Sequence, residues 1–119
     1  MPDPIRFTAT GPAGFLSAAG VALPTATLLQ GQPVGLDHAY YERAEAGVKA
    51  GIWRSCGYVE FYDSYPCDEF MLVLEGEVTV ENESFSETYK AGDAFLIPKG
   101  FRGTWRQPGD MLKYYMIVS

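Results

Sequence analysis

The chain holds one histidine and two cysteines among 119 residues, so the side chains that most often bind transition metals or act as nucleophiles are nearly absent. Cys56 and Cys67 are too few for a cysteine-only zinc site and too widely spaced for a redox Cys-x-x-Cys pair. Two reduced, partly buried thiols of an intracellular protein are expected, with a Cys56–Cys67 bridge as the alternative. There is no Gly-x-Ser-x-Gly, no cysteine with a histidine nearby and no glycine loop leading into a helix to cradle phosphate. Nucleophilic hydrolysis and nucleotide P-loops are thereby set aside. Positive charge is also short: nine Lys plus Arg stand against fifteen Asp plus Glu, a formal charge of −6. Nucleic acid or an anionic bilayer would want a basic face, so neither is an expected partner. Lys99, Arg102 and Arg106 lie close together, which leaves room for a local anion site but not for a long basic groove.

Long apolar runs are missing as well. The stretch Gly14 to Pro24 is apolar and near the start, but no basic segment precedes it and Pro24 interrupts it, so it does not read as a secretory leader. No stretch approaches the ~20 apolar residues that a helix needs to cross a bilayer. A cytoplasmic location is the expectation.

What the sequence does have is turn formers and aromatics: thirteen glycines, eight prolines, eight tyrosines and seven phenylalanines. That mixture favours short strands and tight reversals over helices, hence an all-β domain. Residues 1–36 read as an extended N-terminal arm, because Pro2, Pro4, Pro12, Pro24 and Pro33 recur among glycines and forbid a long helix or a central strand. The arm is nevertheless apolar at Phe7, Phe15, Leu16, Leu28 and Leu29, so it is expected to lie across the domain or onto a partner subunit, with disorder as the alternative. Residues 37–119 read as one β-domain, with strands predicted near 39–43, 48–54, 58–63, 70–74, 77–81, 85–89, 94–98, 104–106 and 112–118.

Two spaced phrases carry the chemistry. Glu69 opens an apolar strand and is followed after six residues by Gly76; Gly92 opens a Gly-Asp turn and is followed after five residues by Pro98-Lys99-Gly100. Together with Gly51-x-Trp53, Asp68-Glu-Phe70, Leu74-Glu-Gly76, Pro98-Lys-Gly-Phe101, Gly103-Thr-Trp105 and Lys113-Tyr-Tyr115, this resembles the cupin superfamily. The similarity is to small single-domain cupins like one half of ureidoglycine aminohydrolase and the ethanolamine-utilisation cupin. The resemblance implies a double-sheet β-barrel of the jelly-roll type with a small-molecule pocket at its mouth, assembled as a homodimer.

The resemblance also exposes what is lacking. Metal-binding cupins place two histidines before the glutamate and a third after the Pro-x-Gly turn, whereas this chain has Tyr62, Asp63, Ser64 and Tyr65 before Glu69 and Gly103 at the later position. His38 stands too early to substitute. No cofactor is therefore expected; a weak hard-cation site through Glu69 and Asp63 is the alternative.

The candidate catalytic residue is Glu69, as an acid/base group or substrate anchor, or else as a structural carboxylate tied to Lys113 or a tyrosine. Candidate substrate-binding residues are Glu60, Tyr62, Trp105, Lys113 and Tyr115. Tyr58, Glu60 and Tyr62 share one strand face, which lines the lumen or faces solvent. Lys113 and Tyr115 share a face of the last strand, and an inward Lys113 would need Glu69 or Glu60 as partner. Trp105 and Trp53 are core residues or pocket walls, and Lys99 is an exposed turn lysine. Two functions remain open: a metal-independent enzyme acting on a small polar metabolite, and a binding or accessory module that holds such a ligand without turnover.

Overall fold

In a computed structural model that describes residues 2–119, eleven strands follow one another with a single 3-10 turn, Ala44–Ala46, and no α-helix. They are β1 (Val21–Ala22), β2 (Thr27–Gly31), β3 (Val34–Arg43), β4 (Val48–Ser55), β5 (Tyr58–Tyr62), β6 (Asp68–Glu75), β7 (Glu77–Asn82), β8 (Phe85–Lys90), β9 (Ala94–Ile97), β10 (Gly103–Gln107) and β11 (Met111–Val118). A six-stranded sheet runs β1-β3-β4-β11-β6-β9 and a five-stranded sheet runs β2-β5-β10-β7-β8.

All nine strands expected from alternation and turn signals are present, because their inward positions carry residues that the second sheet can bury. In β7, for example, Val78 and Val80 are buried while Glu77, Thr79 and Glu81 are partly exposed. The β6–β7 reversal needs Gly76, whose φ of 82° is left-handed and whose missing Cβ would run into the Asp110 carbonyl.

The closed barrel expected from the resemblance is not formed. No strand belongs to both sheets, and the ladders end at β1 and β9 in one sheet and at β2 and β8 in the other. The segment Ala91–Asp93 passes from one sheet to the other, held to β6 by Gly92 N–H on the Val73 carbonyl and Val73 N–H on the Asp93 carbonyl, but no ladder joins β8 to β9, and at the other edge β1 is only two residues long and does not pair with β2. The architecture is a two-sheet antiparallel sandwich with its core between the sheets.

Within residues 1–36, β1 and β2 are edge strands, where a chain broken by Pro24 and Pro33 can still pair on one side. The β3 strand begins at Val34, five residues before the predicted start, and a register shift between Ala39 and Tyr41 carries it past the tight approach to β4. Upstream, Phe15 is buried with Ile52 and Leu112 on the outer face of the six-stranded sheet, and the Phe7 ring lies 4.8 Å from Tyr40 and 5.6 Å from Tyr114. Arg54 Nε donates to the Phe15 carbonyl at 2.9 Å. Both cysteines are free: Cys56 Sγ lies between Val34 N–H and the Gln32 carbonyl, and Cys67 is buried. Among the described residues, no helix is long and apolar enough to cross a membrane.

Candidate functional site

A cavity of about 260 Å³ lies between the two sheets, and all six residues singled out from the sequence line it. From the five-stranded sheet come Tyr58, Glu60 and Tyr62 on β5 and Trp105 on β10; from the six-stranded sheet come Glu69 on β6 and Lys113 and Tyr115 on β11. Period-two alternation puts the β5 trio on one face, and of the two faces open to it the trio takes the inward one. The register sets Glu60 opposite Trp105, and it aligns Asp37, Trp53, Lys113 and Val73 in one row across four strands.

Glu69 and Lys113 form a buried ion pair with Nζ to Oε2 at 3.0 Å and side-chain exposures of 10% and 7%. The other carboxylate oxygen accepts the Tyr65 hydroxyl at 2.7 Å. Lys113 Nζ also stands 4.5 Å from the centre of the Trp53 ring and 4.7 Å from that of Trp105, with Met71 Sδ at 3.0 Å. Each cation–π contact in such a dry place is worth about 2 kcal/mol. Trp105 is held in this pose by its single N–H, which Gln107 Oε1 accepts at 3.1 Å. Gln107 is itself fixed, since its amide donates to Ser55, Cys56 and Gly109.

Glu60 is 2% exposed, and its Oε2 accepts the Ala26 backbone N–H at 2.9 Å. That bond ties the segment before β2 over the cavity, where Leu23 and Pro24 form part of the wall. The phenols around the two glutamates are all pushed up. Burial is the main cause for Tyr58, Tyr62 and Tyr65; the charges of Glu60 and Glu69 add to it at Tyr58 and at Tyr62, which also hydrogen-bonds to Glu60, and Glu69 adds to it at Tyr65. Tyr115 is raised by burial and by its hydrogen bond to Asp37 Oδ1 at 2.5 Å, while Asp37 Oδ2 pairs with Lys49 at 3.0 Å. These phenols therefore remain neutral donors.

Sequence reasoning did not assign Asp37 or Tyr65 to the site, and it left Trp53 open between core and pocket wall; Trp53 lines the cavity. Tyr65 stands four residues before Glu69 across the Pro66 turn, a spacing that allows the contact. For Asp37 no local signal existed, because its role depends on β3 pairing with β4 and on Tyr115 seventy-eight residues away.

The residues do not suit the metal that many cupins carry. An ammonium already holds Glu69, the neighbouring donors are phenols and not imidazoles, and a Cβ at Gly103 would lie 2.5 Å from both the Glu81 carbonyl and the Phe101 ring. The alternative Glu69–Asp63 cation site is not assembled either. Asp63 is exposed, pairs with Arg102 and does not line the cavity. No group of three or more His, Cys, Asp or Glu side chains suited to a metal occurs among the described residues. His38 lies beside Tyr40, outside the set of cavity-lining residues. The candidate anion rim is largely occupied, with Arg102 on Asp63 and Arg106 on Glu81.

The model of the EutQ-like cupin domain matches residues 42–115, which is more than half of the chain and contains Glu69, Trp105 and Lys113. The chain belongs to the EutQ-like cupins. Solved structures agree on the fold. A protein of unknown function from Rhizobium leguminosarum is 21% identical with a TM-score of 0.67, each chain covering 98% of the other. The EutQ protein of Clostridium difficile is 16% identical with a TM-score of 0.60, over 72% of this chain and 68% of that one. A Pseudomonas syringae protein of unknown function gives a TM-score of 0.75 at 20% identity over 85% of this chain, which spans only 43% of that protein's length. No curated protein matches this cupin.

Proposed function

We propose that this cupin binds a compact polar metabolite in the cavity between its sheets and that the Lys113–Glu69 pair, not a metal, supplies the charged groups that act on it. The observation that carries this is the burial of that pair inside a cavity instead of in solid core. Burying two charges costs several kcal/mol per ion, and a well-packed apolar pair of the same size would commonly be as stable or more so. Stability therefore does not explain the pair, whereas a ligand that needs a fixed charge and a proton-transfer group does. A cavity of about 260 Å³ falls at the lower end of small-molecule pockets, so the ligand is small.

In the catalytic form of this reading, Glu69 takes a proton from the ligand, and Lys113 and the Tyr65 hydroxyl stabilise the charge that results. One observation favours binding without turnover: both Glu69 oxygens already have partners, as in an anchor. The experiment is a metabolite screen by thermal shift, followed by NMR of each bound compound with wild-type protein and Glu69→Gln. Conversion by wild type alone, with Glu69→Gln folded and still binding the compound, makes Glu69 a proton-transfer group; binding without conversion leaves the accessory module. If no compound binds at the cavity, the proposal falls.

A further inference from the structure

Three carboxylates line the cavity: Asp37, Glu60 and Glu69. Two have a lysine partner, Lys49 for Asp37 and Lys113 for Glu69, both at 3.0 Å. Glu60, the most deeply buried of the three, has no cationic side chain within 4.0 Å among the described residues. Its partners are neutral donors: Ala26 N–H on Oε2 and the Tyr62 hydroxyl, neither of which supplies a counter-charge. A carboxylate removed from water and left without a counter-charge is costly unless something else supplies the charge.

The surroundings of Glu60 indicate what that is. Tyr58 and Tyr62 flank it on the same strand, and Trp105 faces it from β10. The phenols stay protonated, so each keeps an oxygen lone pair for an N–H and adds no second anion. The Trp53 and Trp105 faces offer the same preference for positive charge that already draws Lys113. An anionic ligand would meet three carboxylates against one cavity-lining lysine.

Building on the proposed ligand cavity, we propose that the ligand carries a cationic nitrogen, a protonated amine or amidine, received by Glu60 between Tyr58 and Tyr62. Lys113 then faces the ligand's other, electron-rich end, and the Lys113–Glu69 pair works on a molecule already oriented by its amine. The segment closed over Glu60 through Ala26 forms the wall against which that amine is held.

Three probes matched in size separate the cases: propylammonium, propionate and 1-propanol, titrated into the full-length protein while Trp side-chain N–H resonances and thermal stability are followed. Propylammonium should shift the Trp105 resonance and raise the melting temperature, and the other two should do so at least about tenfold more weakly. Glu60→Gln keeps an acceptor for Ala26 but removes the charge, and it should abolish the preference for propylammonium. Equal or stronger binding of propionate or propanol at Trp105 overturns the cationic assignment and leaves the ligand cavity standing. No perturbation of Trp105 by any probe removes both. An ammonium preference that survives in folded Glu60→Gln places the cation elsewhere and also overturns the assignment; should that variant not fold, the wild-type preference alone decides.

Discussion

The Phe101 ring occupies the space that a side chain at Gly103 would need, since a Cβ there would lie 2.5 Å from it. The position that the cupin resemblance matches to a third metal histidine is thus closed by packing as well as lacking the imidazole. Gly103→His should destabilise the fold by about 1–3 kcal/mol through overpacking and should not create a metal site. Thermal unfolding and elemental analysis of the dialysed protein check both halves. Near-stoichiometric iron, manganese, nickel or zinc in the wild type, lost on mutation of Glu69, would contradict the reading of the site.

The Lys113–Glu69 pair makes an asymmetric prediction. Glu69→Gln alone leaves a buried ammonium without its counter-charge and should cost about 3 kcal/mol or more. Adding Lys113→Met removes the stranded charge and sets a flexible thioether between the two indoles, so the double variant should recover most of that loss. Chemical denaturation of the two variants measures the difference. A double variant no more stable than Glu69→Gln would show that the pair is itself a stabilising element.

Alkaline pH should unfold this protein from a defined point. Burial and the nearby Glu69 and Asp68 charges push the Cys67 thiol from 9.0 up to about 11, and Tyr58, Tyr62, Tyr65 and Tyr115 are all raised above 10.0. Above pH 9 the unfolded chain loses these protons first, so the folded state binds more of them and stability falls as pH rises. Below pH 9 these groups contribute no slope. Denaturant midpoints measured from pH 7 to 11 test this, and a midpoint that stays flat across the upper part of that range would refute it.

A homodimer is the expected species in solution. Phe70, Leu96 and Met116 remain 45–54% exposed and occupy neighbouring ladder positions in the six-stranded sheet, while the chain's own N-terminal segment packs through Phe7 and Phe15 elsewhere on that sheet. Deleting residues 1–30 would uncover Ile52 and Leu112 and should lower solubility or alter association. Sedimentation that reports a monomer for both the full-length and the truncated chain would end this argument.

The sequence by itself determined where the strands from β4 onward lie along the chain, because alternation and turn residues are local properties: Glu77 to Glu81 alternates on its own, and Gly76 is required wherever that reversal falls. It also determined that imidazoles are missing from the cavity. Which face of β5 turns inward was decided only by tertiary structure, since Tyr58, Glu60 and Tyr62 suit water or a cavity equally until β10 sets Trp105 opposite Glu60. The same holds for the pairing of the charges. Lys113 lies forty-four residues from Glu69, and Asp37 seventy-eight from Tyr115, so partners were fixed by ladder register, which no local pattern encodes. Closure was settled there too: a sheet becomes a barrel only if its edge strands find each other, and the short β1 and β9 do not.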